Sequence, residues 1–199
     1  SSFFANCKNL VSVKLPDSVR EIGSRAFEGC VSLESVVIPE RVENDDRYGD
    51  YYGYWFSECT ALKTVSLPST LKYLPYGCFA GCTSLTEISI PEGITAIPSD
   101  CFRGCSALKT VNYKTPIEYV GGRAFAGCVL IDEFDLSAVK EIEPLAFSST
   151  GLKTVTIPES VTVIPEGTFA GCTALETVNL HTGVSEIGEN AFGCDSNDY

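Results

Sequence analysis

One phrase recurs along the whole chain: a phenylalanine followed three residues later by a cysteine, often with glycine between them. Successive phenylalanines are 22 or 23 residues apart, except for one interval of 29. A unit this short cannot bury an apolar face by itself, so consecutive units must stack and share one core. The chain is therefore predicted to be a solenoid. The phenylalanines that mark its units are Phe4, Phe27, Phe56, Phe79, Phe102, Phe125, Phe147, Phe169 and Phe192.

Each unit also contains a short stretch with the pattern of a β-strand. Ile88 and Ile90, for example, are two residues apart and share one side of a strand, which Pro91 ends by removing a backbone donor. Stacked in parallel about 4.8 Å apart, such strands would form a sheet roughly 35–40 Å long. A second apolar pair, such as Ile94 and Ile97, leads to the next phenylalanine. The predicted inward pairs are Val13/Leu15, Val36/Ile38, Val65/Leu67, Ile88/Ile90, Val111/Tyr113, Phe134/Leu136, Val155/Ile157 and Val178/Leu180.

The pattern Leu85-x-x-Ile88-x-Ile90-Pro91, then Ile94-x-x-Ile97, then Phe102-x-x-Cys105 recurs in register and resembles the BspA-like (Treponema pallidum-type) leucine-rich repeat. The resemblance implies an α/β repeat solenoid that is curved and right-handed. Short parallel strands would line its concave face, with helical turns or irregular structure on its convex face. It also implies a secreted or surface-anchored protein of the kind regarded as adhesins in host-associated bacteria and protists.

The repeat accounts for the whole chain, so a single domain of about eight to nine coils is predicted over 1–199, with partial repeats at both ends. An insertion at 43–55 widens one coil. Two later coils, those of Phe125 and Phe147, are one residue shorter than usual. In the second of them, Ser148 to Gly151 replace the usual Gly-Cys.

Charge and motif content exclude several classes of function. The 14 Lys and Arg against 26 Asp and Glu give a net charge of −12, which disfavours nucleic-acid binding because phosphates would be repelled. No stretch approaches 18 apolar residues, so no membrane insertion is predicted, and no signal peptide is present in this sequence. A lone His181 and the lack of nucleophile, phosphate-loop or dinucleotide motifs predict a protein that is not an enzyme and needs no cofactor.

The recurring cysteines allow two interpretations. Buried free thiols are favoured, because identical side chains in a stacked row point in parallel and a disulfide requires them to converge. The alternative is disulfides, for which Cys78 and Cys101, in adjacent coils, are the better candidates. A metal site is not expected, since there is no Cys-x-x-Cys pair. The cysteines at the repeat position are Cys7, Cys30, Cys59, Cys82, Cys105, Cys128 and Cys172.

The outward strand positions define a concave face of small polar residues. It is either a solvated sheet surface or a binding face for glycans or an extended polypeptide, and no large aromatic is expected on it. Asp132, Glu133 and Asp135 are the densest carboxylate group, but no pocket is expected there and no catalytic pair is assigned. The candidate binding residues are Thr64, Ser66, Glu87, Ser89, Thr110, Asn112, Glu133, Asp135, Thr154 and Thr156.

The insertion holds four of the nine tyrosines and the only tryptophan. Loops on rigid scaffolds commonly carry recognition, and Tyr and Trp supply contact area at low entropic cost. Alternatively, the aromatics fold back over the widened coil, and Trp55 is expected to be half structural because it takes the usual alanine position. Calcium binding by the aspartates is only weakly indicated. The candidate binding residues of the insertion are Tyr48, Asp50, Tyr51, Tyr52, Tyr54 and Trp55.

These features predict a non-catalytic binding or adhesion module, extracellular or on a cell surface. Its partner would be a host or matrix protein, or a glycan, recognised through the concave sheet and the Tyr-rich insertion. The alternative is a structural spacer within a larger surface protein, with no ligand of its own. The aromatic insertion favours binding, while the bland concave face favours a spacer.

Overall fold

In the computed structural model, which describes residues 3–43 and 53–193, the chain is a stack of coils whose equivalent residues lie side by side. The solenoid and its parallel strands are as predicted from the repeat. Every strand is short, two or three residues long. The strands are β1 (Ser35–Val37), β2 (Thr64–Ser66), β3 (Glu87–Ser89), β4 (Ala96–Ile97), β5 (Thr110–Asn112), β6 (Tyr119–Val120), β7 (Glu141–Ile142), β8 (Thr154–Thr156), β9 (Val163–Ile164), β10 (Thr177–Asn179) and β11 (Glu186–Ile187).

The three-residue strands form the predicted sheet, called here the front ladder (β1, β2, β3, β5, β8 and β10). It is not continuous: it consists of the parallel pairs β1–β2, β3–β5 and β8–β10. Val36 lies beside Val65, and Val155 beside Val178, so the inward positions stack as expected. Two predicted strands are wrong. Beside Val13, the first stretch makes only an isolated parallel bridge, between Ser12 and Ser35. The stretch at Phe134/Leu136 forms no strand.

A second set of parallel strands was not anticipated. This back ladder comprises the three-stranded sheet β4–β6–β7 and the pair β9–β11, just before each phenylalanine turn. It arises from the second apolar pair of each unit; Ile97, Val120 and Ile142 are its buried members in the first sheet. The three-stranded sheet ends at β7, in the coil of Phe134 that lacks a front strand. The back ladder therefore joins this coil to the one before it, where the front ladder does not.

The nine recurring phenylalanines stack ring on ring through the core. Neighbouring ring centroids are 5.2–5.8 Å apart and the ring planes are within 15° of parallel. Each phenylalanine N–H in the stack also donates to a carbonyl of the next coil, as from Phe79 to Cys101 at 2.9 Å. Offset stacking of this kind adds to the burial of each ring. The stack thus runs from Phe4 to Phe192.

The segments around the phenylalanines are turns closed by i to i−3 hydrogen bonds, as from the Cys105 N–H to the Phe102 carbonyl. The predicted glycine at their end is in the left-handed region; Gly104 has φ of 74°. From Phe27 onward, the residue two before each recurring phenylalanine is left-handed as well, even when it is not glycine, as at Leu145 with φ of 62°. Within the described ranges there is no helix long and apolar enough to cross a membrane.

The nine described cysteines are free thiols, Cys78 and Cys101 among them. All but Cys7 are buried. Burial raises the pKa of Cys59 and Cys105 to about 12, so these thiols keep their protons near neutral pH. Cys194 lies outside the described residues. From Cys30 to Cys128 the repeat position is therefore a column of buried thiols.

Candidate functional site

The outward residues of the front ladder are exposed along its length, and the residues between them face the core. In β3, Glu87 and Ser89 are exposed while Ile88 is buried. This alternation follows from the two-residue period of a strand. The candidate residues of the ladder share one solvent-facing surface: Thr64, Ser66, Glu87, Ser89, Thr110, Asn112, Glu133, Asp135, Thr154 and Thr156.

Two adjacent clefts open in this surface, one on each side of the coil that lacks a front strand. The first cleft has a volume of about 580 Å³ and is lined by Lys109–Tyr113, Ile131–Asp135 and Thr154. The second, about 560 Å³, is lined by Phe134–Ser137, Thr154, Thr156 and Pro158–Ser160. Six of the candidate residues line one or both clefts: Thr110, Asn112, Glu133, Asp135, Thr154 and Thr156. No pocket was expected here from the sequence. The clefts arise where the front ladder is interrupted between β5 and β8.

Phe134 accounts for the break. It takes the inward strand position that valine or isoleucine holds in the strands on either side, Val111 and Val155. Its larger ring reaches the phenylalanine stack, with centroids 5.1 Å from Phe125 and 5.2 Å from Phe147. The coil is also one residue short, but so is the coil of Phe147, which keeps its front strand β8, so the ring and not the length accounts for the break. The front sheets consequently end at β5 and begin again at β8.

Aromatic side chains line the clefts, contrary to the expectation of a face without them. Tyr113 and Phe134, both predicted to point inward, are only half-buried, and their ring centroids are 6.0 Å apart. Burial raises the pKa of Tyr113, and the nearby Asp135 charge adds to this, so its hydroxyl remains protonated near neutral pH. Sequence reasoning missed this because an apolar residue at an inward strand position was assumed to be buried. The pattern does not show whether the core has room for a ring of this size.

The charged groups of the first cleft are Lys109, Asp132, Glu133 and Asp135. Asp132 Oδ2 forms an ion pair with the Lys153 Nζ of the next coil, at 3.4 Å. Asp135 Oδ1 accepts the Ser137 N–H at 2.9 Å, and the hydrogen bonds from Ser137 lower the pKa of Asp135. A carboxylate that acts as a general acid needs a raised pKa, so Asp135 is suited to attract cations and accept hydrogen bonds.

The described part of the insertion packs against neighbouring coils. The Tyr54 ring meets the Tyr76 ring edge-on, with centroids 5.4 Å apart, and the Arg25 guanidinium lies 5.0 Å from the Tyr54 centroid. Trp55 is 2% exposed, so its ring is part of the core, as the structural alternative held, and its Nε1 has no hydrogen-bond partner among the residues that the structure describes. The remaining insertion candidates, Tyr48, Asp50, Tyr51 and Tyr52, lie outside the described residues.

A partly buried polar cluster lies at the end of β7, on the back ladder. Glu143 Oε2 accepts the Gly122 N–H at 2.7 Å and the Ser99 hydroxyl at 3.1 Å. Burial alone would raise the pKa of Glu143, but hydrogen bonds from Tyr119, Gly122 and Ser99 outweigh it and lower that pKa. The cluster ties three coils together. Across 3–43 and 53–193, no group of three or more His, Cys, Asp or Glu residues could hold a metal ion.

Solved structures of similar repeat proteins cover nearly the whole chain. A leucine-rich repeat protein from Bacteroides ovatus is 26% identical over 96% of this chain, with a TM-score of 0.66. The T. pallidum leucine-rich repeat protein is 25% identical over 89% of this chain and 73% of its own length, with a TM-score of 0.56. This chain spans 60% of the length of the B. ovatus protein.

A leucine-rich cell surface protein from Faecalibacterium prausnitzii is 28% identical over 94% of this chain and 36% of its own length, with a TM-score of 0.43. No curated protein sequence matches the chain. The family model for the BspA type leucine-rich repeat region matches six copies, over residues 1–51, 49–150 and 111–197. With the coils, the phenylalanine stack and the parallel ladders described above, this match establishes that the chain belongs to the BspA-type leucine-rich repeat family.

Proposed function

We propose that the chain is a non-catalytic recognition module that binds an extracellular protein partner through its front face, with the two clefts as the centre of the contact. The observation that carries this proposal is the pair of clefts, where six exposed polar candidate residues surround two half-buried aromatic rings. Recognition sites commonly combine a partly buried aromatic with surrounding polar groups.

A pre-formed surface of this kind limits the entropy that is lost on binding. The face is built from strands that are fixed by the stacked core, so few backbone torsions need to be ordered when a partner docks. The family resemblance supports placing the module outside the cell or on its surface. The insertion tip at Tyr48, Tyr51 and Tyr52 is a second proposed contact, which rests on its composition.

The test is a binding screen on immobilised extracellular-matrix proteins and glycans with wild type and two variants. Thr110→Arg/Thr154→Arg fills the first cleft from both sides, since both side chains are exposed and line it. Ser35→Arg/Thr177→Arg places the same charges and volumes elsewhere on the front face, on β1 and β10. Binding that is lost only in the cleft variant supports the proposal.

Other outcomes assign recognition elsewhere. Equal loss in both arginine variants would indicate that added charge, and not the clefts, governs binding. A Tyr48→Ala/Tyr51→Ala/Tyr52→Ala variant, first shown to fold, tests the insertion separately. No binding by any form would overturn the proposal and favour the structural spacer.

A further inference from the structure

The two clefts carry a net negative charge. Their lining contains one lysine, Lys109, and four carboxylates, Asp132, Glu133, Asp135 and Glu159, a net charge of −3. Lys153, outside the lining, pairs with Asp132, and with Lys153 included the net charge is still −2. A partner that fits here by charge is cationic.

The spacing of the carboxylates describes the shape of that partner. Glu133 and Asp135 are both exposed while Phe134 between them is half-buried, so the two carboxylates share one side of an extended stretch. Side chains two residues apart on extended backbone are separated by roughly 6–7 Å. An extended partner with basic side chains at every second residue presents its charges at the same interval.

The aromatic rings fit the same partner. Tyr113 and Phe134 are half-buried in the cleft walls, where an arginine or lysine side chain can lie over an exposed part of a ring. The stretch around Phe134 lies between β5 and β8 without pairing as a strand, and a cleft opens on each side of it.

We infer that the clefts together bind an extended polypeptide segment in which lysine or arginine alternates with small residues. This inference rests on the proposed function and names the chemistry of its partner. The acidic side chains attract the segment, their spacing selects alternating cations, and the aromatic rings cover the aliphatic parts of the basic side chains. Neutral glycans lack the charge that the clefts are built to match.

The test uses fluorescein-labelled (Ser-Lys)₅ as the probe and fluorescence anisotropy as the readout. Two comparison peptides are (Ser-Glu)₅ and Ser₅Lys₅, the second having the same composition and charge as the probe. We expect (Ser-Lys)₅ to bind more tightly than both. We expect Glu133→Gln/Asp135→Asn to weaken its binding about tenfold or more, because two facing charges are removed while the Asp135 acceptor for Ser137 is retained.

The matched control is Glu141→Gln/Glu186→Gln, which removes two exposed carboxylates on the back ladder, away from the clefts. It is expected to change the affinity by less than about twofold, since screening limits distant surface charges. Thermal unfolding of both double variants checks that each is folded. Equal losses in the two variants, equal binding of (Ser-Lys)₅ and Ser₅Lys₅, or cleft-dependent binding of neutral cellohexaose would each overturn the inference.

The two proposals can fail separately. If the peptide does not bind but a matrix protein still loses binding in Thr110→Arg/Thr154→Arg, the cationic assignment is wrong and the proposed function stands. If neither the peptide nor any immobilised protein or glycan binds, both are wrong.

Discussion

The thiol of Cys105 donates a hydrogen bond to the backbone carbonyl oxygen of Phe79, one coil earlier, with Sγ and the oxygen 3.1 Å apart. The same bond recurs from Cys82 to Phe56 and from Cys128 to Phe102. Cysteine suits this repeat position because it is a small donor that can be buried. The thiol supplies a second hydrogen bond, besides that from the Cys82 N–H, to a carbonyl in the core.

Two substitutions of Cys105 distinguish the effect of losing the hydrogen-bond donor on stability from the effect of reducing the side-chain volume. Cys105→Ala removes the donor, while the Phe79 carbonyl keeps its hydrogen bond from the Cys82 N–H, so the free energy of unfolding should fall by about 0.5–1.5 kcal/mol. Cys105→Ser keeps a donor and should lose less. Urea unfolding of the two variants measures the difference. An alanine variant that is as stable as the serine variant would show that the hydrogen bond contributes little.

Thiol exposure predicts which cysteines react. Cys7 is exposed, whereas Cys59 and Cys105 are buried with pKa values raised to about 12 by burial. Since the thiolate is the reacting form, iodoacetamide at pH 8 should alkylate Cys7 in the folded protein and leave the other two unmodified. Peptide mapping by mass spectrometry identifies the sites, and denatured protein is the control. Rapid labelling of Cys105 in the native state would contradict the buried column.

The Glu143 cluster should make stability depend on pH. Hydrogen bonds lower its pKa in the folded protein below the ordinary 4.5, so the carboxylate form is favoured by folding. Its stabilising contribution is present above pH 4.5 and is lost as the pH falls through the lowered pKa. Glu143→Gln should therefore be less stable than wild type at pH 7, with a difference that shrinks below pH 4.

Glu141→Gln is the control for this measurement, because Glu141 is exposed on the adjacent strand β7. Chemical unfolding of the three proteins at pH 7 and pH 3.5 gives the comparison. A Glu143→Gln difference that stays constant across this range would mean that ionisation of the cluster does not contribute.

Two glycines test two different backbone requirements. Gly104 has φ of 74°, and an added Cβ would lie 3.8 Å from Gly81, so Gly104→Ala should cost about 1–2 kcal/mol through the left-handed backbone alone. At Gly121 an added Cβ would lie 2.4 Å from the Ser99 nitrogen in the adjacent coil, so neighbouring backbone must move. Gly121→Ala should lower the melting temperature more than Gly104→Ala does. The reverse order would contradict the tight approach of the coils.

Removing the Phe134 ring should weaken peptide binding, and a variant that only destabilises the core should not. Phe134→Ala loses a half-buried ring and should lower the free energy of unfolding by about 1–3 kcal/mol. Val155→Ala is the control, because it shortens a buried side chain on β8 without removing a cleft aromatic. Anisotropy with (Ser-Lys)₅ should show loss of affinity in Phe134→Ala and little change in Val155→Ala. Similar affinities of the two variants would show that the ring does not contact the peptide.

The repeat sufficed to predict the solenoid because the apolar pattern within each single unit shows which side chains point to the core. Ile88 and Ile90 alternate as strand residues do, and both are buried. The back ladder was missed because Ile94 and Ile97 are three residues apart, a spacing that shows no strand period. Strands of two residues are defined by pairing with the next coil, as Ala96 pairs with Tyr119, and such pairing leaves no pattern within one unit.

The candidate site was predictable only in part, for a similar reason. Exposure of Thr110 and Glu133 follows from alternation, but the clefts beside them depend on how one side chain fits the core. Phe134 reads as an ordinary apolar residue in the sequence. Its effect appears only when its ring meets Phe125 and Phe147, a contact between three coils that spacing alone does not describe.

The front and back ladders end at different steps of the stack, which has a mechanical consequence at the coil of Phe134. On the front, no strand pairing crosses from β5 to β8, whereas on the back the β6–β7 pair joins the coil of Phe134 to the coil before it. From the coil of Phe134 to the following coil, β7 does not pair with β9, and the two coils are joined by hydrogen bonds of the phenylalanine turns, as from the Phe147 N–H to the Thr168 carbonyl. A change in bend at this step would therefore alter the width of the clefts without breaking a strand pair.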